Sequence, residues 1–247
     1  PRGKTATATH YFNAVATIYQ ANLRPGYEYP GRDYADVAFF AHDDIGLNGD
    51  APETGSGSCS GCHMSSDEAH TFAVVEKDET GAITGIPTKA ACDVCHTPPY
   101  EVTLALLNGE AEGYHQALEI LNTLFLTEKG FGFNTAYPYF FKDNDPDDNQ
   151  ITPNEAVFSN RVFLSADWGD EGTIGAAHNY NYLYHEPGAY AHNRYYAKRL
   201  IFDSIDWVDG NDFDGTIAID EDTYPKAAEW FGLDGTPIMD DYSASRP

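Results

Sequence analysis

Basic residues are scarce in this 247-residue sequence, which has 14 lysines and arginines against 39 aspartates and glutamates. The formal net charge of −25 argues against nucleic acid as a partner, because phosphate binding needs clusters of lysine and arginine. An anionic membrane surface would repel the chain for the same reason. Long apolar runs are also lacking, and none approaches the roughly 20 residues of a transmembrane helix. No membrane insertion is therefore expected.

Methionine is absent from the first position, where Pro1 stands. This start predicts a mature secreted product whose signal peptide has been removed. Hydrophobic residues make up 42 % of the chain, enough for a core, so wholesale disorder is excluded. The length suits one large domain, and no linker is long enough to force two domains. We predict a single domain over residues 1–247.

Only four cysteines are present, and all lie in two copies of the pattern Cys-x-x-Cys-His. This pattern is the attachment signature of c-type haem. Two thiols three positions apart can both reach the vinyl groups on one edge of a haem, and the histidine that follows binds the iron as its proximal ligand. The residues that these motifs assign are Cys59, Cys62, His63, Cys92, Cys95 and His96.

Other uses of paired cysteines compete with haem attachment. A disulfide framework would leave the two histidines unexplained, and a thioredoxin-like redox pair would normally occur once. A zinc site is a closer alternative, because the 29 residues between the pairs are only somewhat long for that motif. Two copies with no cysteine left over favour two covalently attached c-type haems. Because thioether attachment takes place outside the cytoplasmic membrane, the chain is predicted to be periplasmic or extracellular.

The second axial ligand decides what a haem iron does, since an open position allows chemistry and a second strong ligand leaves electron transfer. Only two methionines exist: Met64 directly follows His63, and Met239 lies near the C-terminus. Histidine is more abundant, so we predict bis-histidine ligation. The candidates for the distal position are His70, His192, His178 and His10.

Each distal candidate has a structural alternative. His70 lies between the two motifs and is either a ligand or a solvent-facing histidine in an acidic loop. His192 falls in the first turn of a predicted helix, a rigid place from which to present an imidazole. The alternative for His192, as for His178, is a packing residue among the surrounding tyrosines. His178 shares a predicted helix with His185, which we interpret as a packing residue among tyrosines. His10 opens an amphipathic stretch and is either a ligand or a capping residue.

An acidic loop over residues 143–155 resembles an EF-hand calcium loop, with oxygen ligands at alternate positions and a closing glutamate. Asp148 replaces the usual turn glycine, and the spacing to the glutamate is one residue too long. The alternative is a solvated loop that caps a helix starting near residue 154. The calcium ligands that this reading assigns are Asp143, Asp145, Asp147 and Glu155.

The hydrophobic pattern predicts a mainly α protein with long loops and at most a short β-hairpin. The hairpin is expected within residues 71–84, around a turn at 77–81. Helices are predicted over 8–22, 102–108, 113–127, 154–165, 174–186, 189–207 and 224–231.

Two segments resemble bacterial multihaem c-type cytochromes. The first is Cys-x-x-Cys-His-Met followed by His-Thr-Phe at 59–72, and the second runs from Ala-Ala-His-Asn-Tyr at 176–180 to Gly-Ala-Tyr-Ala-His-Asn at 188–193. The resemblance implies a fold organised by haem, with His70 and His192 as distal ligands. It is strongest to the outer-surface cytochromes of metal-reducing bacteria, some of which polymerise into conductive filaments. Two haems, where better-known members have four or more, are a departure from that pattern.

We therefore expect a dihaem cytochrome that moves electrons between closely spaced haems outside the cytoplasm, and not an enzyme. The resemblance implies other cytochromes, or copies of this chain joined by haem-to-haem contacts, as partners. One alternative is a soluble periplasmic shuttle that docks to basic partners. Another is a peroxidase-like dihaem enzyme with one open iron site.

Overall fold

The computed structural model describes residues 24–34, 58–65, 71–148, 150–210, 212–232 and 246. Helices dominate this part of the chain, and the strands form two short antiparallel pairs. The helices are α1 (Ser58–His63), α2 (Lys89–Cys92), α3 (Leu104–Lys129), α4 (Ser165–Trp168), α5 (Glu171–Tyr184), α6 (Ala189–His192), α7 (Arg194–Gly210) and α8 (Pro225–Phe231), with a 3-10 turn at Phe158–Asn160. The strands are β1 (Glu76–Lys77), β2 (Ile83–Gly85), β3 (Phe131–Phe133) and β4 (Phe140–Lys142).

Helix α3 is one continuous element of 26 residues, although the pattern predicted two helices separated near residue 110. Thr103 caps its start by accepting a hydrogen bond from the Leu106 amide at 3.1 Å, and Gly130 ends it in the left-handed conformation. Gly113 lies in its middle, where glycine costs about 1 kcal/mol relative to alanine. A Cβ at this position would lie 2.5 Å from Trp230 Cβ, so the glycine lets α8 approach.

Helices α5 and α7 pack against each other, and α7 and α8 also contact α3. The side chains between these helices form one apolar core that includes Tyr114, Leu121, Ala177 and Leu200. Gly172 sits where α5 meets the indole of Trp207, and any Cβ there would overlap the ring. This close approach packs the first turn of α5 against α7.

The predicted hairpin is present as β1 and β2, paired from Glu76 opposite Gly85. Asp78 orders its turn by accepting hydrogen bonds from the Thr80 and Ala82 amides. The second hairpin, β3 with β4, was not predicted. The expectation of a mainly α protein with long loops and a short hairpin is confirmed.

The predicted helix over 154–165 is wrong. Glu155 turns back and accepts hydrogen bonds from the Asn144 and Thr152 amides, and only a 3-10 turn follows. Arg161 then forms a β-bridge with Phe141 of β4, which requires extended backbone. The predicted helix over 189–207 is also divided, because Asn193 leaves the helical conformation between α6 and α7.

A buried ion-pair network ties residue 246 to α7. Asp203 is completely buried and accepts two hydrogen bonds at 2.7 Å from the Arg246 guanidinium. The Tyr34 hydroxyl donates a third at 2.5 Å, and Arg32 lies 3.9 Å away. Burial, and then the charge of Asp203, raise the pKa of Tyr34. The network joins three separate stretches of the chain.

None of the helices that the structure describes combines the length and the apolar character that a membrane crossing needs.

Candidate haem-binding site

The first Cys-x-x-Cys-His motif lies on helix α1. Cys59 and Cys62 are three positions apart on the helix, which places their side chains on one face. Cys59 is exposed and Cys62 is half-buried, and burial raises the pKa of the Cys62 thiol. His63 is the last residue of the helix. One short helix therefore presents both thiols and the imidazole of the motif.

The second motif begins on helix α2 and continues as a helical turn. Cys92 accepts hydrogen bonds at its carbonyl from the amides of Cys95 and His96, so the turn repeats the arrangement of α1. Helices α1 and α2 contact each other. Burial raises the pKa of the Cys92 thiol, and Cys62 is close enough to add to that rise. The two motifs are therefore side by side.

Both motif histidines are oriented by backbone carbonyls that sequence analysis missed. His63 Nδ1 lies 2.8 Å from the Phe72 carbonyl oxygen, and His96 Nδ1 lies 3.2 Å from the Tyr100 carbonyl oxygen. The Phe72 ring also stacks on the His63 imidazole, with ring centroids 4.4 Å apart and an interplanar angle of 12°. With Nδ1 donating to a carbonyl, the lone pair of each imidazole is on Nε2, the nitrogen that would bind a metal.

His192 faces His63, with the two ring centroids 6.1 Å apart and the planes inclined at 40°. It is the last residue of α6, and not part of a long helix as predicted. Its Nδ1 lies 2.6 Å from Glu186 Oε1, so Nε2 is the nitrogen that would bind a metal. The structure thus brings together one motif histidine and one distal candidate.

The remaining histidines occupy different surroundings. His178 Nε2 lies 3.1 Å from the Pro25 carbonyl oxygen, and burial lowers the pKa of His178. The His185 ring lies among the rings of Phe133, Tyr139 and Tyr184. His10 and His70 lie outside the described residues.

The residues present fit a haem by three tests. The donor set is two thiols and an imidazole per motif, which are the groups of c-type attachment. An imidazole nitrogen binds a metal at about 2.0 Å, so two imidazoles on opposite sides of one iron have ring centres about 6 Å apart, close to the separation of His63 and His192. A Cβ at Gly188 would lie 2.9 Å from His192 Cε1, so the glycine provides the room that this imidazole needs.

The acidic loop brings three carboxylates together, but they are not the predicted set. Oxygens of Asp143, Asp148 and Glu155 lie within 4.8 Å of one another. Asp145 and Asp147 are exposed and do not belong to this group. Hydrogen bonds from the loop lower the pKa of Glu155, and the bond from the Asn144 amide has the largest effect. The Glu155 carboxylate thus stabilises the loop by accepting hydrogen bonds from it.

In an alignment over 217 residues, the chain is 45 % identical to the C-type polyheme cytochrome OmcB of Geobacter sulfurreducens strain ATCC 51573 / DSM 12127 / PCA. OmcB of strain DL-1 / KN400 and the C-type polyheme cytochrome OmcC of the first strain match at the same identity. The alignments cover 85 % of this chain but only 27 % of OmcB and 26 % of OmcC. The chain thus spans about a quarter of the length of these curated relatives. No family model and no solved structure matches it.

Proposed function

Because the chain belongs to the multihaem c-type cytochromes, we propose that its two Cys-x-x-Cys-His motifs each hold one haem and that it carries electrons between them. The observation that carries the proposal is the pair formed by His63 and His192, whose rings stand 6.1 Å apart with each Nδ1 engaged elsewhere. Haem iron, when bound, supplies a one-electron couple between its ferrous and ferric states.

The first haem is assigned to Cys59 and Cys62 as thioether anchors, with His63 as proximal and His192 as distal ligand. Two imidazoles would close both axial positions, which favours an electron carrier over an enzyme. The names of the relatives, which describe cytochromes, agree with that assignment. The Phe72 ring, itself half exposed, stacks on one face of the His63 imidazole.

The second haem is assigned to Cys92 and Cys95, with His96 as proximal ligand. An apolar pocket lined by Ile86, Val102 and Leu104 lies next to Lys89, one helical turn before Cys92. For the distal ligand we propose His70, with His10 and His178 as alternatives. His178 is the weakest of the three, because its Nε2 is already engaged with a carbonyl oxygen.

The contact between α1 and α2 supports rapid electron exchange between the two proposed haems, since the two attachment motifs lie side by side. Thioether attachment takes place outside the cytoplasmic membrane, so we place the chain in the periplasm or outside the cell. Its electron partners would be other cytochromes or copies of itself. If copies of the chain bind one another repeatedly, they would form a filament. Electron microscopy that shows only isolated globules would count against the filament.

The proposal is tested by electron paramagnetic resonance (EPR) and visible spectroscopy of the haem-loaded protein. We expect two low-spin irons whose spectra do not change on addition of peroxide or cyanide. A high-spin signal that shifts with either reagent would instead support the dihaem peroxidase. A shuttle that docks to basic partners would remain monomeric and show electron exchange that slows strongly with added salt.

Calcium binding by the acidic loop is a narrower proposal that rests on the three grouped carboxylates. Asp148→Asn is expected to weaken terbium luminescence at the loop at least tenfold, since it removes one of three anionic ligands. Asp147→Asn, one residue earlier and exposed, is the matched control. An equal response of both variants would contradict the grouping of Asp148 with Asp143 and Glu155, and a native protein without terbium binding would contradict the calcium site.

A further inference from the structure

Glu186 is a carboxylate buried next to the candidate axial ligand. It lies in the turn between α5 and α6, and its side chain is 1 % exposed. Oε1 lies 2.6 Å from His192 Nδ1, whereas Oε2 is buried without a hydrogen-bond partner among the described residues. A buried carboxylate that lacks full hydrogen bonding is costly, so its position calls for a function.

The backbone around Glu186 holds the carboxylate in place. Its amide donates to the Leu183 carbonyl at 2.9 Å, and its carbonyl accepts from the Ala189 amide at 3.1 Å. The hydroxyl of the fully buried Tyr114 lies 3.0 Å from the same carbonyl. These contacts tie the turn to α3, so the carboxylate is held by packed elements and not by a free loop.

Gly188 completes the arrangement. A Cβ at this position would lie 2.9 Å from His192 Cε1 and 3.1 Å from both His192 Nδ1 and Glu186 Oε1. These distances are shorter than ordinary van der Waals contacts, so any other residue would push the imidazole away from the carboxylate. The glycine therefore permits the hydrogen bond between Glu186 and His192.

A carboxylate on Nδ1 has two consequences for a histidine that binds a metal. It fixes the tautomer in which Nδ1 carries the proton, which leaves Nε2 as the donor atom. It also raises the basicity of the imidazole, and a more basic ligand favours ferric over ferrous iron. The buried negative charge acts in the same direction, because a low dielectric strengthens its attraction to the more positive iron.

We propose that Glu186 is a positioning residue that orients His192 as an axial ligand and lowers the reduction potential of the haem that His63 anchors. The inference rests on the proposed assignment of His192 to that haem. One control of that potential is thereby placed in a side chain outside both attachment motifs.

The test is a redox titration of the haem-loaded protein with Glu186→Gln, followed by visible and EPR spectroscopy. Glutamine keeps the size but removes the charge, so the potential of one haem should rise while the other stays unchanged. A tenfold loss of preference for ferric iron corresponds to about 59 mV for a one-electron couple. The EPR g values of the same haem should shift. Glu112→Gln, which neutralises an exposed glutamate on α3, is the matched control and should change neither the reduction potentials nor the g values.

Gly188→Ala provides a second variant in case Glu186→Gln does not fold, and it should move the potential in the same direction. His192→Ala separates the two hypotheses. If His192→Ala leaves both irons low-spin, the ligand assignment is wrong and the role of Glu186 falls with it. If His192→Ala makes one iron high-spin but Glu186→Gln and Gly188→Ala leave both potentials unchanged, His192 remains assigned as an axial ligand. The positioning role of Glu186 is then overturned.

Discussion

Replacing His192 by alanine is expected to convert one of the two haem irons from low-spin to high-spin. The methyl group of alanine cannot bind iron, and the His192 ring lies 6.1 Å, centroid to centroid, from the His63 imidazole. The open position should then accept cyanide or peroxide, which the native protein is expected to exclude. EPR at low temperature measures the change directly, since the two spin states give well-separated signals.

Two control variants make this experiment specific. His115→Ala removes an exposed histidine on α3 and should leave both irons low-spin. His178→Ala removes the alternative ligand on α5 and should also leave the His63 haem unchanged. A high-spin signal in His178→Ala, together with a native-like spectrum in His192→Ala, would reverse the assignment.

Replacing Asp203 by alanine is expected to lower the free energy of unfolding by about 3–5 kcal/mol, the cost of removing one partner of a buried ion pair. Asp203 is fully buried and receives two hydrogen bonds from Arg246 and one from Tyr34. Without it, the partly buried Arg246 guanidinium and the buried Tyr34 hydroxyl lose their acceptor. Chemical denaturation followed by far-UV circular dichroism gives the free energy.

Asp209→Ala is the matched control for this prediction, because Asp209 lies on the same helix α7 and is exposed. Surface substitutions of this kind usually change stability by less than about 0.5 kcal/mol. Equal midpoints for the two variants would show that the Asp203 network contributes nothing to stability.

Some parts of the candidate site follow from sequence because they depend on local spacing. The Cys-x-x-Cys-His motifs need only a helical turn to bring two thiols and an imidazole together, and α1 has that turn. The first hairpin is likewise local, since Asp78 orders its turn from within. The Pro187-Gly188 pair predicts the end of the helix expected over 174–186. In the structure α5 ends at Tyr184, just before this pair.

Other parts depend on contacts that composition does not encode. The carbonyls of Phe72 and Tyr100 orient the motif histidines, but every residue has a carbonyl, so no residue type marks them. Glu186 is one of 39 acidic residues, and only the turn between α5 and α6 distinguishes it from the exposed ones. In the acidic loop, the alternation of carboxylates suggested Asp145 and Asp147, whereas the backbone turns Asp148 inward.

Two of the errors in helix prediction arise from hydrogen bonds that the apolar pattern does not show. The pattern over 154–165 is compatible with a helix, but pairing of Arg161 with Phe141 holds the segment extended. Between α6 and α7, Asn193 Oδ1 accepts from the Tyr196 amide at 3.4 Å and starts a new helix. A tertiary pairing thus outweighed local propensity in the first place, whereas a local capping hydrogen bond divided the helix in the second.

The most direct test of the account is the intact mass of the purified protein under denaturing conditions, measured together with its visible spectrum. If each motif holds one haem covalently, the mass is that of the chain plus two haems that denaturant does not remove, and the spectrum has an intense Soret band. A colourless product with the mass of the unmodified chain would contradict it.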